Sequence, residues 1–305
     1  MLFFFRKNTN LFLNYYKLFI FYALVDFIRI INKGKSTYVP CDVRKEIELN
    51  IPISSDDSII NLAAVHRTPG HPENAYFETN MRGAENVYSF AEKHKIRKIV
   101  FTSSIVPYGA AEELREEITL PTPNTPYGIS KLATEKIHQI WQTKNVDNEL
   151  TIVRPGVVFG KDENGNFTRL YWGIKKRRFF YPGRKDTIKA CIYVKELVNF
   201  MTYKLTNHKG GMELFNCTYE PAFTIEQIIE TIKDIIGLNR HIIMVNGSLL
   251  TTAASIIGYL GGKKLGIHPA RVKKMVSANI CGKKIVHRDT NSNNLFEEAI
   301  RDWYR

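Results

Sequence analysis

Three short apolar runs, Ser58-Ile-Ile-Asn-Leu-Ala-Ala64, Lys98-Ile-Val-Phe-Thr102 and Glu149-Leu-Thr-Ile-Val-Arg154, are separated by segments of helical periodicity, Asn74 to Lys95 and Tyr127 to Thr143. This alternation constrains the fold more than any other feature. Strand-length runs joined by helix-length spacers predict a doubly wound α/β domain: a parallel sheet with helices on both faces. Ligands in such sheets gather beyond the carboxyl ends of the strands, and Ala63-Ala64, Ser103-Ser104 and Pro155-Gly156 fall there.

After Gly160 the texture changes. Residues 160–186 are rich in Gly, Pro, Arg and Lys; a short run at Ala190 to Val194 follows, then a helix over Thr224 to Ile236. Ser248 to Gly261 reads as an apolar helix and Leu295 to Arg305 as a terminal amphipathic one. The pattern divides the chain into an apolar N-terminal segment (1–31), a Rossmann-like domain (32–160) and a smaller substrate-binding region (161–305) interleaved with it. With 305 residues and 44% hydrophobic composition the chain can bury cores for both.

The formal charge of +13 points to anionic partners, with basic clusters at Lys175-Lys-Arg-Arg178, Lys263-Lys264, Arg271-Val-Lys-Lys274 and Lys283-Lys284. No zinc-finger spacing or aromatic-basic ribonucleoprotein motif accompanies them, so a nucleotide diphosphate is the expected anion and nucleic acid is not. Cys41, Cys191, Cys217 and Cys281 are scattered, with no C-x-x-C pair and no histidine at ligand spacing. No metal site or disulfide framework is expected, and reduced cysteines fit a cytoplasmic protein.

Chemistry enters with Ser104, Tyr127 and Lys131. Tyr-x-x-x-Lys also occurs at Tyr171/Lys175, Tyr181/Lys185 and Tyr259/Lys263, but only Tyr127 opens a helix and follows a buried strand ending in hydroxyl residues. The i, i+4 spacing puts Tyr127 and Lys131 on one helical face. An ammonium beside a phenol favours the phenolate, so Tyr127 is expected to serve as a general base near neutral pH while Ser104 orients the same substrate oxygen.

The first 31 residues stand apart. Leu11 to Ile31 is strongly apolar, interrupted by Asn14, Lys17, Asp26 and Arg29, and resembles a borderline membrane span. No glycine precedes Gly34, and no signal-peptide pattern is present.

The ordered set Cys41-Asp-Val43, Asn61-Leu-Ala-Ala64, Asn80, Thr102-Ser-Ser104, Tyr108-Gly109, Pro126-Tyr-Gly-Ile-Ser-Lys131 and Arg154-Pro-Gly-Val-Val-Phe-Gly160 resembles the NAD-dependent epimerase/dehydratase family, extended short-chain dehydrogenases acting on nucleotide sugars. The resemblance implies NAD as cofactor, with NADP open. It implies that Asp42 and Val43 meet the adenine, that Leu62, Ala63, Ala64 and His66 run beneath the cofactor, and that Asn80 and Thr102 support its pocket. Ser104, Tyr127 and Lys131 match the catalytic set, Lys131 also holding the nicotinamide ribose. Pro155 and Gly156 match the turn beside the nicotinamide. Val157 and Lys189 match substrate contacts, Lys189 standing where an arginine usually holds the diphosphate. A homodimer through the helices at Asn74 to Lys95 and Tyr127 to Thr143 is likewise implied.

Two departures narrow the reading. Family dehydratases carry Asp-Glu after the catalytic hydroxyl residue; here Ile105 and Val106 stand there, which leaves 4-epimerisation of a nucleotide sugar, as in polysaccharide biosynthesis, ahead of dehydration. A keto-sugar or sterol-type reductase is the neighbouring alternative. The second departure is the absence of Gly-x-x-Gly-x-x-Gly in the opening segment, so the first βαβ unit is degenerate or missing. A mis-started translation, a diverged half-site in an inactive binding protein, or a membrane-association segment would each account for it. The glycines at Gly258, Gly261, Gly262 and Gly266 follow a helix and read as a cap and turn.

Overall fold

The computed structural model describes residues 2–5, 27–32, 35–66, 70–161, 163, 165–246 and 292–304, with backbone alone for 2–5, 27–32, 35–38 and 292–293. The chain forms two compact units: one from 1–109, 117–155 and 194–217, the other from 110–116, 156–193 and 218–305. The boundary falls at Pro155/Gly156, and two segments cross over.

The first unit is built on a seven-stranded sheet in the order β11-β6-β5-β4-β1-β2-β3. Its strands are β1 (Leu2–Phe5), β2 (Phe27–Asn32), β3 (Lys35–Pro40), β4 (Ser58–Asn61), β5 (Lys98–Thr102), β6 (Glu149–Pro155) and β11 (Met212–Cys217). The continuous apolar runs become fully buried strands, β4 along its whole length and β6 at all but its first residue. Strands β4, β5, β6 and β11 are parallel, as expected.

The sheet as a whole is mixed, its parallel core joined by an edge of alternating direction. β1 runs parallel to β2 but antiparallel to β4, pairing Leu2 with Asn61 and Phe5 with Ser58. The carboxyl end of β1 therefore lies away from the carboxyl ends of β4 and β5, whereas a Rossmann pyrophosphate turn leaves from the same end. β3 reverses again relative to β2, so Asp42 and Val43 follow a strand whose carboxyl end lies with those of β4, β5 and β6. The apolar stretch from Leu11 to Ile31 ends as strand β2, so its last five residues are committed to a sheet; no helix among the described residues is long and apolar enough to cross a membrane.

Helices follow the strands as the periodicity predicts. A composite helix comprises α1 (Glu73–Tyr76), a π-helical turn (Phe77–Met81) and α2 (Arg82–Lys93). The 18-residue α3 (Pro126–Thr143) starts with Pro126 at its first position and with Thr125 as cap, the Thr125 hydroxyl accepting from Gly128 N at 3.1 Å. α3 packs on α2 and β6. Val43, Ile59, Val87, Phe90, Ile99, Phe101, Trp141 and Ile152 form the shared core.

The second unit holds β7 (Val157–Phe159), α4 (Asn166–Lys175), β8 (Tyr181–Pro182), β9 (Ile188–Lys189) and β10 (Cys191–Tyr193). Helix α5 (Val194–Thr206) returns to the first unit, and β12 (Phe223–Thr224), α6 (Ile225–Ile236), β13 (Met244–Val245) and α7 (Ser292–Tyr304) complete the second. Helix α6 begins with a capping box between Thr224 and Gln227 and ends at a left-handed Gly237, so both ends expected from the sequence are made locally. An aromatic cluster forms its core: Phe159 stacks on Phe167 at 4.5 Å, and Phe296 of α7 packs against Phe223 at 4.5 Å. Residues 248–261 and the glycine group at 258–266 lie outside the described residues.

Candidate active site

Ser104 lies two residues beyond β5 and Tyr127 in the first turn of α3, and the two meet. The Ser104 hydroxyl accepts from Val106 N at 3.2 Å and lies near enough to the Tyr127 phenol to oppose the rise in its pKa. Lys131, one turn further along α3, is 1% exposed and donates from Nζ to the Thr102 carbonyl at 2.6 Å, with the same ammonium 4.3 Å from the Phe101 ring centre. Strand β5 thus supplies the hydroxyl and the lysine's anchor, and the helix supplies the phenol.

The electrostatics differ from the expectation of a phenolate. Burial pushes the Tyr127 phenol up to about 12, with Tyr76 adding to the rise, its ring centre 6.2 Å away, and only Ser104 opposing it. Burial also pulls Lys131 down to about 7, against the upward pull of Glu135. Both groups lose hydration, and each favours its neutral form. The ammonium is engaged by the Thr102 carbonyl and the Phe101 face. At this site the tyrosine rests as a phenol, which can take a proton only after losing its own, and Lys131 gains or loses its charge near pH 7.

The other described tyrosine–lysine pairs at the same spacing have no such setting. Lys175 Nζ reaches Tyr171 Oη at 3.3 Å, but also Tyr304 Oη at 3.4 Å, within an aromatic cluster on the second unit. Lys185 sits over the Tyr181 ring at 5.0 Å and pairs with Glu226. Tyr259 and Lys263 lie outside the described residues.

Asn80 is the staple of the loop after β4. Its Oδ1 accepts from Val65 N at 2.7 Å, and its Nδ2 donates to Val65 O at 3.2 Å and to Ser130 Oγ at 2.8 Å. Ser130 Oγ in turn donates to the Tyr127 carbonyl at 2.9 Å. One buried amide in the π-helical turn therefore fixes Leu62, Ala63, Ala64 and His66 relative to the helix bearing Tyr127 and Lys131. Asp42 forms a bidentate pair with Arg44, 2.8–3.1 Å, which holds its carboxyl below the usual range, and Val43 is buried with its carbonyl accepting from Asn86 at 2.7 Å. Pro155 ends β6 in the first unit. Gly156, Val157 and Lys189 belong to the second, where a Cβ on Gly156 would stand 2.6 Å from the Ala190 carbonyl oxygen, so glycine is required there by close approach of backbone.

Sequence reasoning missed a second layer on the same face of α3. Lys131, Glu135 and His138 follow at i, i+4 and i+7, and all three are buried. Glu135 accepts from Ser103 Oγ and from Arg154, Nε to Oε1 at 2.9 Å and Nη2 to Oε2 at 2.6 Å. Arg154 lies over the Tyr108 ring at 4.6 Å, and Tyr108 donates to Asn216 at 2.9 Å. His138 Nε2 accepts from Asn61 Nδ2 at 3.0 Å, and burial, with Lys131 adding to the effect, pulls its pKa down to about 3. The spacing of these three residues after Tyr127 was the available signal. Polar residues on the inward face of a helix are placed there for one another.

The residues at the nicotinamide end of a dinucleotide site are in place: a buried lysine with donors to spare, a phenol and hydroxyl in contact, and a pinned loop. Those that would cradle a pyrophosphate after β1 fall in 6–26, outside the described residues. Among the described residues no group of His, Cys, Asp or Glu could hold a metal.

A Rossmann-type sheet with Ser, Tyr and Lys at the carboxyl end of β5 and the start of a helix defines an extended short-chain dehydrogenase-like protein. The sequence profile of the NAD dependent epimerase/dehydratase family matches residues 16–217, and the chain belongs to that family. The N-acetyl-alpha-D-glucosaminyl-diphospho-ditrans,octacis-undecaprenol 4-epimerase of Escherichia coli O157:H7 is 31% identical over 264 residues, covering 83% of this chain and 79% of that protein. The UDP-glucose 4-epimerase of Yersinia enterocolitica is 24% identical over 207 residues, 60% of this chain and 62% of that one. A crystal structure of a UDP-galactose 4-epimerase shares the fold with a TM-score of 0.54 at 19% identity, covering 80% of this chain and 76% of that one. The UDP-glucuronic acid 4-epimerase of Bacillus cereus in complex with NAD has a TM-score of 0.53 at 22% identity, over 61% of this chain and 62% of that one, less than two thirds of its length.

Proposed function

We propose that the chain is a 4-epimerase acting on a hexose carried on a diphosphate, with NAD as its cofactor. The observation that carries the reading is the setting of Ser104 and the Tyr127 phenol beside a buried Lys131, with apolar Ile105 and Val106 in place of the carboxylates a dehydratase needs. Tyr127, once it has given up its own proton, takes as the phenolate the proton of the sugar hydroxyl and later returns it; Ser104 holds the hydroxyl oxygen within reach. Lys131 binds the nicotinamide ribose, and its charge stabilises the phenolate that takes the proton. NAD, when bound, supplies reversible hydride acceptance at the sugar carbon. The loop at Leu62–His66, pinned by Asn80, lies beneath the cofactor, and Asp42 and Val43 take its adenine end. Val157 and Lys189 contact the substrate, Lys189 as a point charge for a phosphate.

The relatives divide on the diphosphate's other ester, a uridine in one group and a polyprenol in the other. The greater identity and coverage of the polyprenol-linked enzyme favour a lipid carrier. Exposed Ile129 and Ile140 on α3 supply an apolar face for a homodimer.

The test is turnover of UDP-N-acetylglucosamine and of the polyprenyl diphosphate-linked sugar by purified protein with NAD. Tyr127→Phe is expected to lower kcat on the order of 10²–10⁴-fold while NAD binding persists. Full activity in that variant, or no turnover of either substrate by a wild-type protein that holds NAD, defeats the assignment.

A further inference from the structure

Among the described residues of the second unit, Arg115 pairs with Glu113, Arg184 with Asp186 and Glu112, and Arg301 with Glu297, while Arg169 hydrogen-bonds the Asn166 amide. Arg177, Arg178 and Arg240 differ. Among the described residues none has a side-chain partner, and all three line one groove of about 180 Å³. His241 joins them, and Arg240 Nη1 donates to the Arg177 carbonyl at 3.2 Å, tying the two walls together.

The groove is also apolar. Phe180 is 36% exposed and Ile243 62%, and parallel pairing of β8 with β13 sets their chain positions side by side, Tyr181 N donating to Ile243 O at 2.9 Å. Large side chains left in water beside uncompensated cations need an explanation.

Local backbone strengthens it. Helix α4 ends in a Schellman turn, with Arg178 N donating to Gly173 O at 2.8 Å and Arg177 N to Ile174 O at 2.9 Å. The left-handed position of that turn, usually glycine, is Arg177 at φ 58°. Arg177 thus takes a place that glycine usually fills, at some cost in backbone strain.

We propose that this groove docks the protein on an anionic lipid bilayer, the arginines meeting phosphate headgroups and Phe180 and Ile243 entering the interface. Basic residues beside exposed aromatic and aliphatic ones form the pattern of interfacial attachment. The apolar lining disfavours a nucleic-acid backbone, which would leave it in water. Such a surface serves an enzyme whose substrate sits in a membrane, yet docking is read without substrate, so its failure and that of the epimerase reading are separable.

The experiment is co-sedimentation of the full chain with phosphatidylcholine vesicles, with and without phosphatidylglycerol, alongside a short RNA. Binding is expected only on anionic vesicles and to fall with salt. Each arginine contributes roughly fivefold to such affinity, so Arg177→Ala/Arg178→Ala/Arg240→Ala binds on the order of a hundredfold more weakly. Phe180→Ser/Ile243→Ser also weakens it. Arg177→Gly removes a charge while relieving the turn, and is expected to melt no lower than wild type yet bind vesicles several-fold less. The proposal is overturned by wild type that ignores anionic vesicles, by a triple-arginine variant that binds like wild type, or by RNA captured more tightly than vesicles through the same arginines.

Discussion

The sharpest energetic consequence of the structure concerns Glu135. Replacing it with Ala deletes an acceptor of two hydrogen bonds from Arg154 and one from Ser103, at a site where the two ionic side chains are 1% and 4% exposed. The guanidinium would be left buried, with Nη1 already lacking a partner among the described residues. Breaking a buried pair from one side costs about 3–5 kcal/mol, which for a folding unit of this size is a fall in melting temperature of roughly 6–20 °C. Thermal unfolding followed by circular dichroism reads it directly. The control is Glu135→Leu/Arg154→Leu, which removes both charges and is expected to lose far less, since apolar replacement of a whole buried pair is often close to neutral. A single-variant loss below about 1 kcal/mol, the worth of an exposed pair, would refute the reasoning. So would a double variant as unstable as the single one. A second readout follows from Lys131: Glu135 is the charge that opposes its depressed pKa, so any activity limb governed by Lys131 moves to lower pH in Glu135→Gln.

Two further predictions come from the same helix and the loop it faces. His138 is neutral in the fold, with its pKa lowered to about 3 from an ordinary value of 6.5; the stability it confers is complete above pH 6.5 and is lost as pH falls through 3. In that window wild type loses about 1.4 kcal/mol per pH unit more than His138→Gln; parallel melting curves from pH 6.5 to 4 would rule this out. Asn80→Ala removes the three hydrogen bonds that pin Val65 to α3. It is expected to cost about 1–3 kcal/mol and to weaken NAD binding by calorimetry; unchanged affinity would separate the loop from the cofactor.

The central architecture was legible because it rests on short-range patterns. The strand at Lys98 to Thr102, the helix opening at Pro126-Tyr127 and the capped helix at Thr224 follow from apolar runs, proline placement and capping spacing, which act within a few residues. The Ser104–Tyr127–Lys131 set could be singled out from identical tyrosine–lysine spacings for the same reason: a strand end and a helix start must meet there. The glycine-poor start also announced itself as a departure.

Tertiary structure decided what depends on partners distant in sequence. The direction of β1 against β4 is fixed by pairing Leu2 with Asn61 and Phe5 with Ser58, residues far apart in the chain, and no local signal encodes it. The burial of Lys131, which places its charge near neutrality instead of simply lowering its neighbour's pKa, depends on Phe101 and the Thr102 carbonyl. Glu135 reads in sequence as an ordinary helix residue until Arg154 and Ser103 close on it. Composition and periodicity determine which elements form and which residues reach the carboxyl ends of the strands. Desolvation and long-range pairing, summed over the packed chain, determine what those residues are able to do.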